Sequence, residues 1–153
     1  MKWSSDAMYN SELTAAPSVQ DHLIEIIPEP QNPKNEDLTD FTTSSLFLLD
    51  TSGCQMYEQL DSENGSKYNI GEATLVSHFV SLLLSSGILK PQIGIVTPYN
   101  AQVKLLRKHL KPHDDEFGAN LEISTVDGFQ GREKDIIIIS MVRSNYAKNV
   151  GFL

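Results

Sequence analysis

The sequence predicts an α/β domain built on a mostly parallel sheet, and three observations carry that prediction. Short apolar runs recur at residues 46–49, 93–97 and 136–139, each too brief for a helix and rich in Leu, Ile or Val. Segments with helical spacing alternate with them. The runs also lack the in–out alternation of a strand with one wet face, which points to strands covered on both sides.

Taken in chain order, residues 28–45 come first, with Pro28, Pro30 and Pro33 among many Asn, Asp, Ser and Thr and no apolar period. They read as a surface loop. Leu46-Phe47-Leu48-Leu49 then reads as a buried strand, closed by Asp50-Thr51-Ser52-Gly53. The polar stretch 61–68 is expected to be a second surface loop. Asn69 followed by Glu72 has the form of a helix cap with its acidic third residue. Leu75, Val76, Phe79, Val80 and Leu83 share one stripe of that helix, and Gly87 stops it. Residues 93–97 form the next strand. A helix over about 100–110 turns Val103, Leu106 and Leu110 inward and Lys104, Lys108 and Lys111 outward. Residues 122–125 read as a short strand. The β-branched run 135–141 reads as a long strand covered on both faces.

Composition excludes several classes. The 153 residues suit one globular domain, with 40% hydrophobic and 21% charged residues. No apolar run approaches the ~18 residues of a membrane span. The first residues have no apolar signal core, and the lone Cys54 fits a reducing, intracellular setting, nucleus or cytoplasm. The net charge of -8 argues against nucleic-acid binding by bulk charge. However, the acidity is local. Residues 20–67 carry ten carboxylates against two lysines, while residues 98–153 hold eight basic against seven acidic side chains.

Some tempting motifs fail. Phe47-Leu48-Leu49-Asp50 has the outline of a Walker B strand, but Thr51 replaces the second acid and no Gly-Lys dipeptide occurs. Asp50 is better read as a cap on the next turn. His109 and His113 straddle Pro112, which breaks any shared metal face. There is no Gly-x-Ser-x-Gly elbow. Asn64-Gly65-Ser66 has no meaning as a glycosylation acceptor without a secretory signal.

Two segments carry chemistry. In Ile95-Val96-Thr97-Pro98-Tyr99-Asn100-Ala101-Gln102 a strand ends in a hydroxyl beside a helix start. That hydroxyl and the free N–H groups can hold a phosphate, and Tyr99 can stack a base. From this segment alone the plainer reading leads: Pro98 opens the helix and Tyr99 fills the core. In Ser124-Thr125-Val126-Asp127-Gly128-Phe129-Gln130-Gly131-Arg132-Glu133-Lys134-Asp135, glycines, hydroxyls and charges crowd one crossing between strands. Gly128 and Gly131 allow positive φ and close approach. A plain turn explains the glycines and leaves the other side chains without a reason.

The second segment resembles motif V of the superfamily 1 helicases of the nonsense-mediated-decay and immunoglobulin-mu-binding-protein branch. The first resembles the motif before it. Ser140-Met141-Val142-Arg143-Ser144-Asn145 is similar to the strand end that follows, and Val150-Gly151-Phe152-Leu153 to the lead-in to motif VI. Trp3-Ser4-Ser5-Asp6-Ala7-Met8-Tyr9 and Leu49-Asp50-Thr51-Ser52-Gly53-Cys54 extend the likeness over nearly the whole chain, closest to the immunoglobulin-mu-binding-protein-2 type.

The resemblance implies the second RecA-like domain of an ATP-dependent 5′-to-3′ helicase, incomplete at both ends. It puts Glu133, with Gly131 and Arg132 beside it, against ATP. Thr97, Pro98, Tyr99, Gln102, Thr125, Val126 and Gln130 would line or support the track for single-stranded DNA or RNA. The P-loop, Walker B acids, Gln-Tyr-Arg segment and motif VI are expected outside residues 1–153. ATP and Mg²⁺ would therefore be held only together with the first RecA-like domain, and this chain alone would not hydrolyse ATP. The alternatives are a non-catalytic module binding single strands or a protein, with its Lys104, Lys108 and Lys111 face, and an unstable product with no role of its own.

Overall fold

The computed structural model describes residues 2–20, 45–111 and 121–150. The chain divides into two compact units, residues 1–25 with 32–48 and residues 26–31 with 49–153.

In the first unit, helix α1 (Lys2–Met8) is short. The Ser5 hydroxyl donates to the Leu13 carbonyl at 2.9 Å and accepts from the Leu13 N–H at 3.0 Å, which folds the following turn back on the helix. Asn10 and Ser11 make that turn with φ of 50° and 63°. The expected loop 28–45 lies almost entirely outside the described residues.

The second unit holds the sheet. Strand β1 (Gln59–Leu60) pairs antiparallel with β2 (Lys67–Tyr68). Helix α2 (Ile70–Ser85) and a short 3-10 turn at Lys90–Gln92 follow. Then come β3 (Ile93–Thr97), α3 (Asn100–Leu110), β4 (Glu122–Thr125), the one-turn helix α4 (Val126–Phe129) and β5 (Ile136–Ile139). Strands β4, β3 and β5 form a parallel sheet with β3 in the middle. This is the α/β class that the alternation of runs predicted.

Hydrophobic burial explains the central element. Ile93 and Ile95 are fully buried, as are Leu106 and Val80, so β3 runs through the core beneath α3, which in turn packs on α2. The inward stripe of α3 is Val103, Leu106 and Leu110, as its spacing predicts, with Lys104, Lys108 and Lys111 outside. On the other face, Gly94 leaves room for the Phe129 ring. A Cβ there would lie 3.1 Å from Phe129 Cε2 and 3.0 Å from Ile137 Cδ1. Gly87 ends α2 with φ of 86°, the left-handed geometry glycine adopts freely.

The structure corrects two expectations and refines a third. Leu46-Phe47-Leu48-Leu49 forms no strand, and Leu46 and Leu48 are more than four-fifths exposed. An apolar run becomes a strand only within a ladder of backbone hydrogen bonds, and neither sheet among the described residues includes these four. The second correction concerns β5, which is not covered on both faces. Among the described residues it is an edge strand whose exposed Ile137 and Ile139 alternate with half-buried Ile136 and Ile138. Residues 61–66 are the turn of a hairpin, and Lys67–Tyr68 is its returning strand. Asp61 and Asn64 accept the N–H groups of Glu63 and Ser66, which shapes the turn.

Candidate functional site

Parallel strands bring their carboxyl ends to one edge, where this chain concentrates its polar side chains. Thr125, Thr97 and the residues after Ile139 end β4, β3 and β5 in that spatial order. Thr97 and Thr125 are register partners. Thr97 is fully buried, and its hydroxyl has no hydrogen-bond partner among the described residues. The Thr125 hydroxyl accepts from the Gly128 N–H at 3.2 Å, capping α4. Gly128 sits so close to β4 that a Cβ would lie 2.5 Å from Ser124 Oγ.

Beyond α4, Val126 and Gln130 are exposed and Gly131 turns the chain with φ of 78°. A cavity of about 490 Å³ opens here, lined by Val96, Val126, Phe129, Gln130, Gly131 and Arg132 among others. Arg132 and Lys134 both pair with the Glu122 carboxylate, which those two cations hold below its usual range. Glu133, between them in sequence, is exposed and engages no partner among the described residues. The turn thus offers a free carboxylate to hydroxyl donors, while its cations are already engaged. Among the described residues no His, Cys, Asp or Glu cluster could hold a metal ion.

At the end of β3, Pro98 is exposed, whereas Tyr99 is buried and accepts from the Arg143 guanidinium at 3.4 Å through its hydroxyl. One free N–H at the start of α3, that of Ala101, is already taken by the Ser66 hydroxyl at 3.0 Å. Gln102 is fully buried. Its carbonyl accepts from the Asn69 N–H at 2.8 Å, and its amide donates to Ser140 Oγ at 3.0 Å and to the Asn69 carbonyl at 3.2 Å. The polar atoms of Gln102 are therefore all engaged within the fold.

Asn69 caps α2 by accepting the Glu72 N–H at 3.1 Å, as its position predicts. The Glu72 side chain does not return the bond. Its carboxylate accepts from Ser140 Oγ at 2.6 Å and from the Val142 N–H at 2.9 Å. Val142 is fully buried at φ 71°, and the Arg143 N–H closes a three-residue turn onto the Met141 carbonyl at 2.8 Å. A β-branched residue takes that strained conformation only when its surroundings fix it. Here Glu72 and the Asn69 amide, which donates to the Val142 carbonyl at 3.2 Å, do so.

The turn directs Arg143 onto Glu58, a residue with no local sequence signal. The Glu58 carboxylate accepts from Lys67 Nζ and Arg143 Nε at 2.8 Å, the Ser144 N–H at 2.9 Å and Asn145 Nδ2 at 3.1 Å. Burial alone would raise its pKa. The bonds from Lys67, Asn145, Arg143 and the Ser144 N–H prevail and lower it to about 2. Beside this hub the rings of Tyr57 and Tyr146 stack, and the Tyr146 hydroxyl pushes the Tyr57 hydroxyl above its ordinary range. Glu58, Arg143, Tyr57 and Tyr146 escaped sequence reasoning. The only hint was Arg143, within the segment resembling a family strand end.

Asp50 caps as expected, accepting the Ser52 N–H at 2.8 Å. His113, the second histidine of the rejected metal spacing, lies outside the described residues.

Comparison with known proteins identifies the family. The AAA domain family matches residues 1–153. The DNA-binding protein SMUBP-2 of Rattus norvegicus is 42% identical over 152 residues, covering 99% of this chain and 14% of that protein. The DNA polymerase alpha-associated DNA helicase A of Saccharomyces cerevisiae is 43% identical over 155 residues, covering 100% of this chain and 22% of that protein. Regulator of nonsense transcripts 1 of Dictyostelium discoideum is 35% identical over 129 residues, covering 82% of this chain and 9% of that protein. The chain thus spans at most 22% of the length of these relatives. It belongs to the AAA domain family, in the nonsense-mediated-decay and immunoglobulin-mu-binding-protein-2 branch of the superfamily 1 helicases.

Proposed function

We propose that this chain is the second RecA-like domain of an ATP-dependent 5′-to-3′ nucleic-acid helicase. It supplies half of the ATP cleft and part of the track for single-stranded DNA or RNA, and it does not hydrolyse ATP alone. The observation that carries the reading is the turn 125–133, where Thr125 stands at the strand-end edge and the Glu133 carboxylate, with no partner among the described residues, stands at the other end. One such turn can couple a phosphate contact on the strand to a ribose contact on the nucleotide.

The residues fit a nucleotide's sugar edge and not its triphosphate. Glu133 can accept from ribose hydroxyls, with Gly131 giving the backbone its turn beside it. Arg132 is held by Glu122, and no metal-binding cluster occurs among the described residues. Phosphate charge and Mg²⁺ would then be handled by a first RecA-like domain and by motif VI. Thr97, Pro98, Tyr99, Thr125, Val126 and Gln130 form the strand side, with Gln102 bracing it from within.

The test is ATP turnover by the pure chain, where the expected result is none. Turnover that Glu133→Ala removes would overturn the reading. A second reading, a non-catalytic module for single strands or a protein partner, draws on the exposed Lys104, Lys108 and Lys111. If those lysines carried the binding, replacing them would abolish it and Thr125→Val would leave it unchanged.

A further inference from the structure

Past the end of β5 the chain builds a surface that none of the motifs above includes. The rings of Tyr57 and Tyr146 lie face to face, with centroids 4.5 Å apart and planes at 28°. Such a pair would be ordinary in a core, but Tyr146 is 84% exposed and Tyr57 40% exposed. One ring face of Tyr146 rests on Tyr57 and the other is open to water.

The pair is held in place. The Glu58 N–H donates to the Ser144 carbonyl at 3.0 Å, which joins the backbones carrying the two tyrosines. Asn145 and Asn149 bond reciprocally at 2.8 and 2.9 Å, closing the loop in which Tyr146 sits. A ring fixed this way loses little freedom when another ring stacks on it.

Lys67 and Arg143 both pair with the carboxylate of Glu58, the residue next to Tyr57 in the chain. Position agrees as well: β5 lies beside β3 on the side away from β4, and Arg143 contacts the Tyr99 hydroxyl. The tyrosines therefore continue the line of strand ends.

We propose that Tyr146, backed by Tyr57, is a base-stacking contact for single-stranded nucleic acid, extending the track beyond β5. The assignment rests on the reading of this chain as a strand-binding domain. Every base has a π face, so the contact is tolerant of sequence.

The experiment is a titration of labelled oligothymidylate with the 153-residue chain at several salt concentrations, comparing wild type with Tyr146→Ala, Tyr146→Trp and Tyr57→Ala. Tyr146→Ala should weaken binding about tenfold, the loss of one stacked base, without changing the salt slope. Tyr146→Trp should bind at least as well as wild type, and Tyr57→Ala should lose less than Tyr146→Ala. The two Tyr146 variants should melt as wild type does, since Tyr146 is exposed. Unchanged affinity in Tyr146→Ala would overturn the assignment while leaving the strand-binding reading intact. A shallower salt slope would also overturn it, by showing a lost phosphate contact. A wild-type chain that does not bind at low salt would defeat both.

Discussion

Thr97 and Thr125 end adjacent parallel strands as register partners, yet only the Thr125 hydroxyl has a partner among the described residues. A buried hydroxyl without a partner costs stability that a purely structural threonine would have no reason to bear. The difference separates the two residues experimentally. Thr97→Val keeps the shape and removes the orphan, so it should be neutral or stabilising by about 1 kcal/mol while weakening single-strand binding. Thr125→Val loses a cap and should cost about 1 kcal/mol as well as binding. Thermal melts paired with strand titrations check both. A destabilised Thr97→Val with normal binding would show that Thr97 serves only the fold.

Glu58 makes stability depend on pH in a defined direction. Its folded pKa of about 2 lies below the ordinary 4.5, so the unfolded chain binds the proton more readily. Its contribution is fully present above about pH 4.5 and is lost as pH falls towards 2. Urea unfolding between these values should show Glu58→Gln less sensitive to pH than wild type. Parallel curves would mean that the Arg143 and Lys67 bonds contribute no net stability.

The buried knot around Gln102 should resist change. Gln102→Leu strips partners from the Asn69 N–H and the Ser140 hydroxyl, at a cost of roughly 1–3 kcal/mol. Denaturant midpoints at constant slope would measure it. Restoration of stability by a matching Ser140→Ala change would show that the Ser140 hydroxyl is the costly orphan.

Gly94 should tolerate no side chain cleanly. In Gly94→Ala the new methyl meets Phe129, Ile137 and Lys134. The tips of Ile137 and Lys134 can shift, but the Phe129 ring anchors α4. A loss of about 1 kcal/mol is expected, together with weaker strand binding as the turn after Phe129 moves. Wild-type stability and binding would mean that this turn is positioned independently of β3.

The sequence was informative wherever local pattern and tertiary environment agree. β3 is apolar because both its faces are covered, and α3 shows its stripe because only one face is. Asn69 was readable as a cap because that bond spans three residues. The failures share one cause, since a partner distant in the chain leaves no local mark. Leu46-Phe47-Leu48-Leu49 has the composition of a strand but joins neither sheet among the described residues, and β5 looks doubly buried although Ile137 and Ile139 are exposed. Glu58 and Arg143 meet from opposite sides of the sheet unit's sequence. Glu72 has the spacing of a capping acid, whereas its carboxylate fixes Val142.

The central claim is that the turn 125–133 presents Glu133 to a nucleotide held jointly with a first RecA-like domain. It is tested most directly by titrating fluorescent ATP into this chain joined to such a domain and motif VI, with and without Glu133→Ala. The substitution should weaken ATP binding roughly tenfold or more, as expected for a lost hydrogen bond to a charged group. Unchanged affinity would return Glu133 to an ordinary surface charge and contradict the account.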